Sequence, residues 1–104
     1  MTTRELAACL HTSDAPRLLD VREPWEHALA AIPNSRLIPL GELPLRIDEL
    51  DDWRDLDVVV YCHHGIRSAQ AVAMLRAAGF TNVHNLSGGI DRWTSEVDAA
   101  MPRY

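Results

Sequence analysis

Two cysteines, Cys9 and Cys62, are the side chains of this sequence best suited to nucleophilic chemistry, and their surroundings differ sharply. Cys62 opens the segment Cys62-His63-His64-Gly65-Ile66-Arg67-Ser68, directly after the β-branched run Val58-Val59-Val60-Tyr61. The residues after it, Ala71, Val72, Leu75 and Ala78, form one helical stripe ending at Gly79. A cysteine on a tight turn between strand and helix faces the unpaired amides of the turn and of the first helical turn, a nest that favours thiolate over thiol. Gly65 permits the bend. Arg67 adds a fixed positive charge that can hold an anionic substrate or support the thiolate, although a helix-start arginine paired with a carboxylate fits the same position. A fall in thiol pKa from about 8.5 to roughly 6.5 would make the sulfur mostly thiolate at neutral pH. His63 and His64 flank the nucleophile and would attract an anion only when protonated.

The elements that must position this loop follow from hydrophobic patterning. Val58 to Tyr61 has no polar alternation, as expected of a central parallel strand covered on both faces. Arg17 to Val21 reads as another buried strand, Leu37-Ile38-Pro39-Leu40 as a brief one and Val83 to Leu86 as the last. Helices are expected from Thr3 to Leu10, from Pro24 through Leu29, along Leu43, Ile47 and Leu50, and along Ile90, Trp93 and Val97 after the Gly88-Gly89 turn. Strands alternating with helices predict a three-layer α/β architecture with a mainly parallel sheet, and ligands of such sheets bind beyond the carboxyl ends of the strands, where Cys62 lies. The 104 residues, nearly half of them hydrophobic, read as a single domain over residues 1–104 with no linker or repeat.

Several functions are disfavoured. A net charge of −5 spread along the chain is the wrong sign for nucleic acid or an anionic bilayer. No apolar run approaches membrane-span length and the first ten residues lack a secretory core, so a reducing, cytoplasmic location is expected. Two isolated cysteines argue against a disulfide framework or a multi-cysteine zinc site, and a Cys62, His63, His64 metal site would need adjacent side chains to converge on one ion. No metal or cofactor is expected. Cys9 reads as packing, Trp25, Trp53 and Trp93 as core or rim aromatics, and Asp20 with Arg22 as supporting groups in a buried ion pair or a capping contact with the Glu26 helix.

The segment Cys62-His63-His64-Gly65-Ile66-Arg67-Ser68 resembles the active-site loop of the rhodanese family. Leu18-Leu19-Asp20-Val21-Arg22-Glu23 with Trp25-Glu26, then Ile32-Pro33 and Ile38-Pro39-Leu40, resembles that family's amino-terminal signature, and Asn85-Leu86, Gly88-Gly89-Ile90 and Trp93 its closing segment. Ala30-Ala31-Ile32-Pro33-Asn34-Ser35 departs from it, since the family usually has Gly-His before Ile-Pro and Gly-Ala after. The ending, Glu96-Val97-Asp98 then Pro102-Arg103-Tyr104, is similar to rhodanese domains fused behind enzymes that adenylate small sulfur-carrier proteins. The resemblance implies a rhodanese-like sheet of about five strands and a sulfurtransferase in which Cys62 takes a sulfane sulfur from a donor such as thiosulfate and passes it to cyanide, a thiol or a sulfur-carrier protein. Residues 63 to 68 would then form the anion-binding loop around the persulfide. Four residues separate Cys62 from Arg67, where cysteine phosphatases, as the resemblance implies, use five.

Overall fold

The structure, a computed structural model, describes all 104 residues. Its sheet holds four strands, all parallel, in the order β2-β1-β3-β4: β1 Arg17–Asp20, β2 Ser35–Leu37, β3 Asp57–Tyr61 and β4 Asn82–Asn85. The count is four rather than about five, matching the four extended apolar runs that the sequence contains. The α-helices are α1 Thr3–Cys9, α2 Pro24–Leu29, α3 Leu43–Arg46, α4 Ile66–Ala77 and α5 Gly89–Glu96, with 3-10 turns at Leu40–Glu42 and Ile47–Trp53. None is long and apolar enough to cross a membrane.

β3 shows why the layers form. Val58 and Val60 face one core with Leu19, Val21, Leu43, Leu50, Ala71, Val72 and Leu75, while Val59 and Tyr61 face the other with Leu6, Leu18, Ile32, Leu86, Ile90 and Trp93. Period-two alternation in a strand that is apolar on both faces requires a cover on each side. The stripe of α4 covers the first, and α1 with α5 the second. Each fully buried Val or Leu side chain contributes about 1.5–3 kcal/mol by leaving water.

Two boundaries differ from expectation for local reasons. β2 is Ser35–Leu37 rather than Leu37 to Leu40, shifted toward the amino terminus, and it ends at Leu37 because Pro39 has no N–H to offer the ladder, although the amides of Ile38 and Leu40 still bond Asp20 O (3.0 Å) and Val21 O (3.0 Å). The stripe Leu43, Ile47, Leu50 faces the core as expected, but one turn of α-helix hands over to a 3-10 turn within it.

The strand order reverses between β1 and β3, and their ends are level, Asp20 pairing with Tyr61. Val21-Arg22 and Cys62-His63 therefore emerge side by side at the topological switch point of the sheet, the usual ligand crevice of open α/β folds. The cysteine loop is fastened there from α5, whose amides Ile90 N and Asp91 N donate to Cys62 O (2.9 Å) and His63 O (3.0 Å). Gly89 makes that approach possible: at φ +61 a Cβ would lie 2.5 Å from Cys62 O and closer still to His63 O. Gly89→Ala is therefore expected to cost about 2 kcal/mol or more, a fall in Tm of roughly 10 °C by thermal melting. Gly41→Ala, with nothing within 4 Å of its added Cβ, is the control and should melt as the wild type.

Candidate active site

Cys62 follows the last residue of β3 and is only 1 % exposed. Gly65, at φ +108, bends the chain back so that its own N–H donates to the Cys62 Sγ at 3.1 Å, and Ser68 N–H from the first turn of α4 reaches the sulfur at 3.4 Å. The Ser68 hydroxyl lies 3.3 Å from Sγ and donates to Asn85 Oδ1 at 2.5 Å, while Asn85 Nδ2 donates to Gly65 O at 3.1 Å. Asn85, at the end of β4, thus ties loop and helix together. Burial pushes the Cys62 thiol up, but the Ser68 hydroxyl and the amides of Ser68, Gly65 and His64 outweigh it, and the pKa lies below that of an ordinary thiol.

Beneath the loop lies a chain of paired charges. Asp20 and Arg22 are both fully buried, with Arg22 Nε and Nη2 donating to the two Asp20 carboxylate oxygens at 2.8 and 2.7 Å. Arg22 Nη2 also donates to Ala30 O at 2.6 Å, capping the carboxyl end of α2, and Nη1 donates to the Tyr104 hydroxyl at 2.9 Å. His27 Nδ1 lies 2.8 Å from Asp20 Oδ2. Tyr104 donates in turn to Glu26 Oε2 at 2.6 Å, and Glu26 holds Arg67 through two bonds of 2.7 and 2.9 Å. A buried pair of this kind becomes strongly destabilising once one partner is removed, because a charge is left without compensation. Arg67 holds the Glu26 carboxyl far below its usual range, at about 2, against the opposing effect of burial.

An aromatic row crosses the rim of the site. The Tyr104 ring stacks on His63 (4.0 Å, 15°), His63 on His64 (4.0 Å, 28°), and Trp25 meets Tyr104 edge-on at 5.6 Å. Burial and the neighbouring His64 carry the His63 pKa below that of a free imidazole, which favours its neutral form. The widest cleft, about 420 Å³ beside Arg17 and Asp57, lies at the opposite end of β1 and β3, so size does not mark the site.

Comparison with known proteins agrees with this geometry. The family model for the rhodanese-like domain matches residues 2–96. The chain belongs to the rhodanese-like domain family. A sulfurtransferase of Allochromatium vinosum is 43 % identical over 76 residues, covering 73 % of this chain and 69 % of that protein. The probable adenylyltransferase/sulfurtransferase MoeZ of Mycobacterium tuberculosis is 34 % identical over 113 aligned positions; the whole of this chain corresponds to 26 % of its length. The crystal structure of a rhodanese-related protein from Thermoplasma volcanium superposes with a TM-score of 0.83 at 37 % identity, covering 93 % of this chain and 91 % of that one.

Within this rhodanese-like domain the anticipated loop residues do not all turn the same way. Gly65 and Ser68 touch the sulfur; Ile66 is 72 % exposed and turns its side chain to solvent. Arg67 lies beside the loop, but its guanidinium is fastened to Glu26. Asp20 and Arg22 form the buried ion pair. Trp93 is core, Trp25 is rim, and Cys9 packs partly buried against the α1–α5 side of the sheet. Glu26, Asn85 and Tyr104 were quoted above as motif letters without a chemical role, and the structure gives each a polar contact in the site.

Two outcomes follow from these contacts. Ser68→Ala removes the nearest hydroxyl and should move the midpoint of the pH–rate curve for Cys62 alkylation upward, measured with iodoacetamide. Glu26 ionises at about 2 in the folded chain against 4.5 ordinarily, so its contribution is complete above pH 4.5 and disappears as the pH falls toward 2. Wild type should lose up to about 3 kcal/mol from this group across that interval, and Glu26→Gln should flatten the acid limb of the stability curve in denaturant titrations.

Proposed function

We propose that this domain, residues 1–104 acting as one unit, is a sulfurtransferase in which Cys62 carries a sulfane sulfur as a persulfide. The observation that supports it most directly is the set of N–H and O–H donors from Gly65 and Ser68 around a buried cysteine sulfur whose pKa is lowered. Attack by a thiolate on a sulfur bearing a good leaving group needs no general base. With thiosulfate, the Cys62 thiolate forms a bond to the outer, sulfane sulfur, the S–S bond of thiosulfate breaks, and sulfite departs with the electron pair. In the second step a nucleophilic acceptor attacks the outer sulfur of the persulfide, and the Cys62 thiolate leaves. Atoms and charge balance without a cofactor.

The acceptor is a thiol, cyanide or a sulfur-carrier protein. Likeness to the MoeZ-type adenylyltransferase/sulfurtransferase supports including the last of these. The cytoplasm, being reducing, suits a catalytic thiolate of this kind. The loop length argues against phosphoryl chemistry. Four residues between Cys62 and Arg67 draw the amides tightly around a single atom, whereas a tetrahedral phosphate needs a wider ring, and small misplacements of donors are expensive in rate.

Intact mass after incubation with thiosulfate tests the reading: one added sulfur atom on Cys62, removable by cyanide or dithiothreitol, is expected. Cys62→Ser should lower thiosulfate:cyanide turnover by at least about a thousandfold with the melt unchanged, and Cys9→Ser should be silent. Hydrolysis of p-nitrophenyl phosphate that depends on Cys62, with no persulfide at any time, would overturn it.

A further inference from the structure

Glu26 is 3 % exposed and accepts four hydrogen bonds. Oε1 takes Arg67 Nη1 (2.7 Å) and Glu23 N–H (3.0 Å); Oε2 takes Arg67 Nη2 (2.9 Å) and the Tyr104 hydroxyl (2.6 Å). The Arg67 side chain is 36 % exposed and is the partner with room to move. While both of these terminal nitrogens are on Glu26, the Arg67 charge is neutralised and two of its five N–H donors are committed, so bringing the guanidinium's full charge to an anion over the loop means giving up part of that pair. A buried carboxylate abandoned by its cation is costly unless other donors remain.

Tyr104 is such a donor, and it is fixed. Its ring stacks on His63 and makes a T-shaped contact with Trp25. Its oxygen accepts from Arg22 Nη1, and Arg22 is itself anchored by Asp20 and Ala30 O. A hydroxyl that accepts from a guanidinium becomes a stronger donor to the carboxylate beyond it. Burial and Glu26 push the Tyr104 pKa up to about 12, which keeps the donor proton in place at neutral pH.

We propose that Tyr104 is a positioning residue for Arg67: its hydroxyl keeps Glu26 satisfied when the Arg67 guanidinium swings from Glu26 to an anionic substrate at Cys62. The inference rests on the sulfur-transfer reading only in identifying that anion as a sulfur donor. The anchored phenol and the mobile guanidinium share one carboxylate, and losing the phenol locks Arg67 onto it.

Alkylation of Cys62 tests this independently of sulfur transfer. In a Cys9→Ser background, the rate constants with anionic iodoacetate and neutral iodoacetamide are compared as a ratio. Arg67→Ala should lower the ratio and set its floor. Tyr104→Phe, which keeps the ring, should bring the ratio at least about threefold toward that floor while the iodoacetamide rate stays within about twofold. With Glu26→Gln there is no charge to strand, so the ratio should rise above wild type and Tyr104→Phe should have no further effect. An unchanged ratio in Tyr104→Phe, equal slowing of both reagents, an Arg67→Ala ratio equal to wild type, or a Tyr104→Phe effect that persists beside Glu26→Gln would each overturn the proposal. Failure to form a persulfide with thiosulfate would leave these ratios intact and would count against the transfer chemistry alone.

Discussion

A sulfur anion at the end of a central strand can exist only if hydrogen-bond donors replace the water it has lost, and much of this domain's architecture meets that condition. Burial alone would drive the Cys62 thiol toward the neutral form. The Gly65 and Ser68 donors reverse the balance, and each is placed by something further out. Gly65 takes a left-handed conformation and its carbonyl is pinned by Asn85; the loop carbonyls of Cys62 and His63 are bound by the first amides of α5. Because those carbonyls are occupied from behind, the loop N–H groups are left facing the sulfur.

The Ser68 hydroxyl sits between two acceptors and has one proton to give. It donates to Asn85 Oδ1, so a cysteine S–H can donate to the serine oxygen, whereas a thiolate would compete with Asn85 for the serine proton. The Asn85 amide cannot present its nitrogen to Ser68 without turning its oxygen toward Gly65 O, so its orientation is set by that carbonyl. Cys62 and Asn85 thus share one O–H group.

The charges below the loop are arranged so that no ion is stranded. Asp20 with Arg22 and Glu26 with Arg67 make two neutral pairs, joined by the Tyr104 phenol. Such buried pairs add little net stability over apolar packing, yet losing one partner is expensive. Their use here is geometric: they hold the end of β1, the length of α2 and the start of α4 around the crevice where the strand order reverses.

Much of this was legible in the linear sequence, because local physics writes it there. The apolar run Val58 to Tyr61 dictated a strand covered on both faces, the stripe of Ala71, Val72 and Leu75 dictated its covering helix, and the turn between them placed Cys62 at a helix start. The type and spacing of Cys62, Gly65 and Arg67 also marked the loop. The number of strands and the end of β2 depended on which runs found a ladder partner and where Pro39 interrupted it. What only the tertiary structure decided is the partnering. Glu26 meets Arg67 across 41 residues and Tyr104 across 78, and Ser68 meets Asn85 across 17. Charge pattern alone left Arg67 equally suited to an anion or a carboxylate and its spacing from Cys62 favoured the anion; that the buried Glu26 carboxylate stands opposite it was decided by the packing of α2. Periodicity reports which face of an element is buried; it carries no record of which polar group will stand opposite another once two distant elements meet.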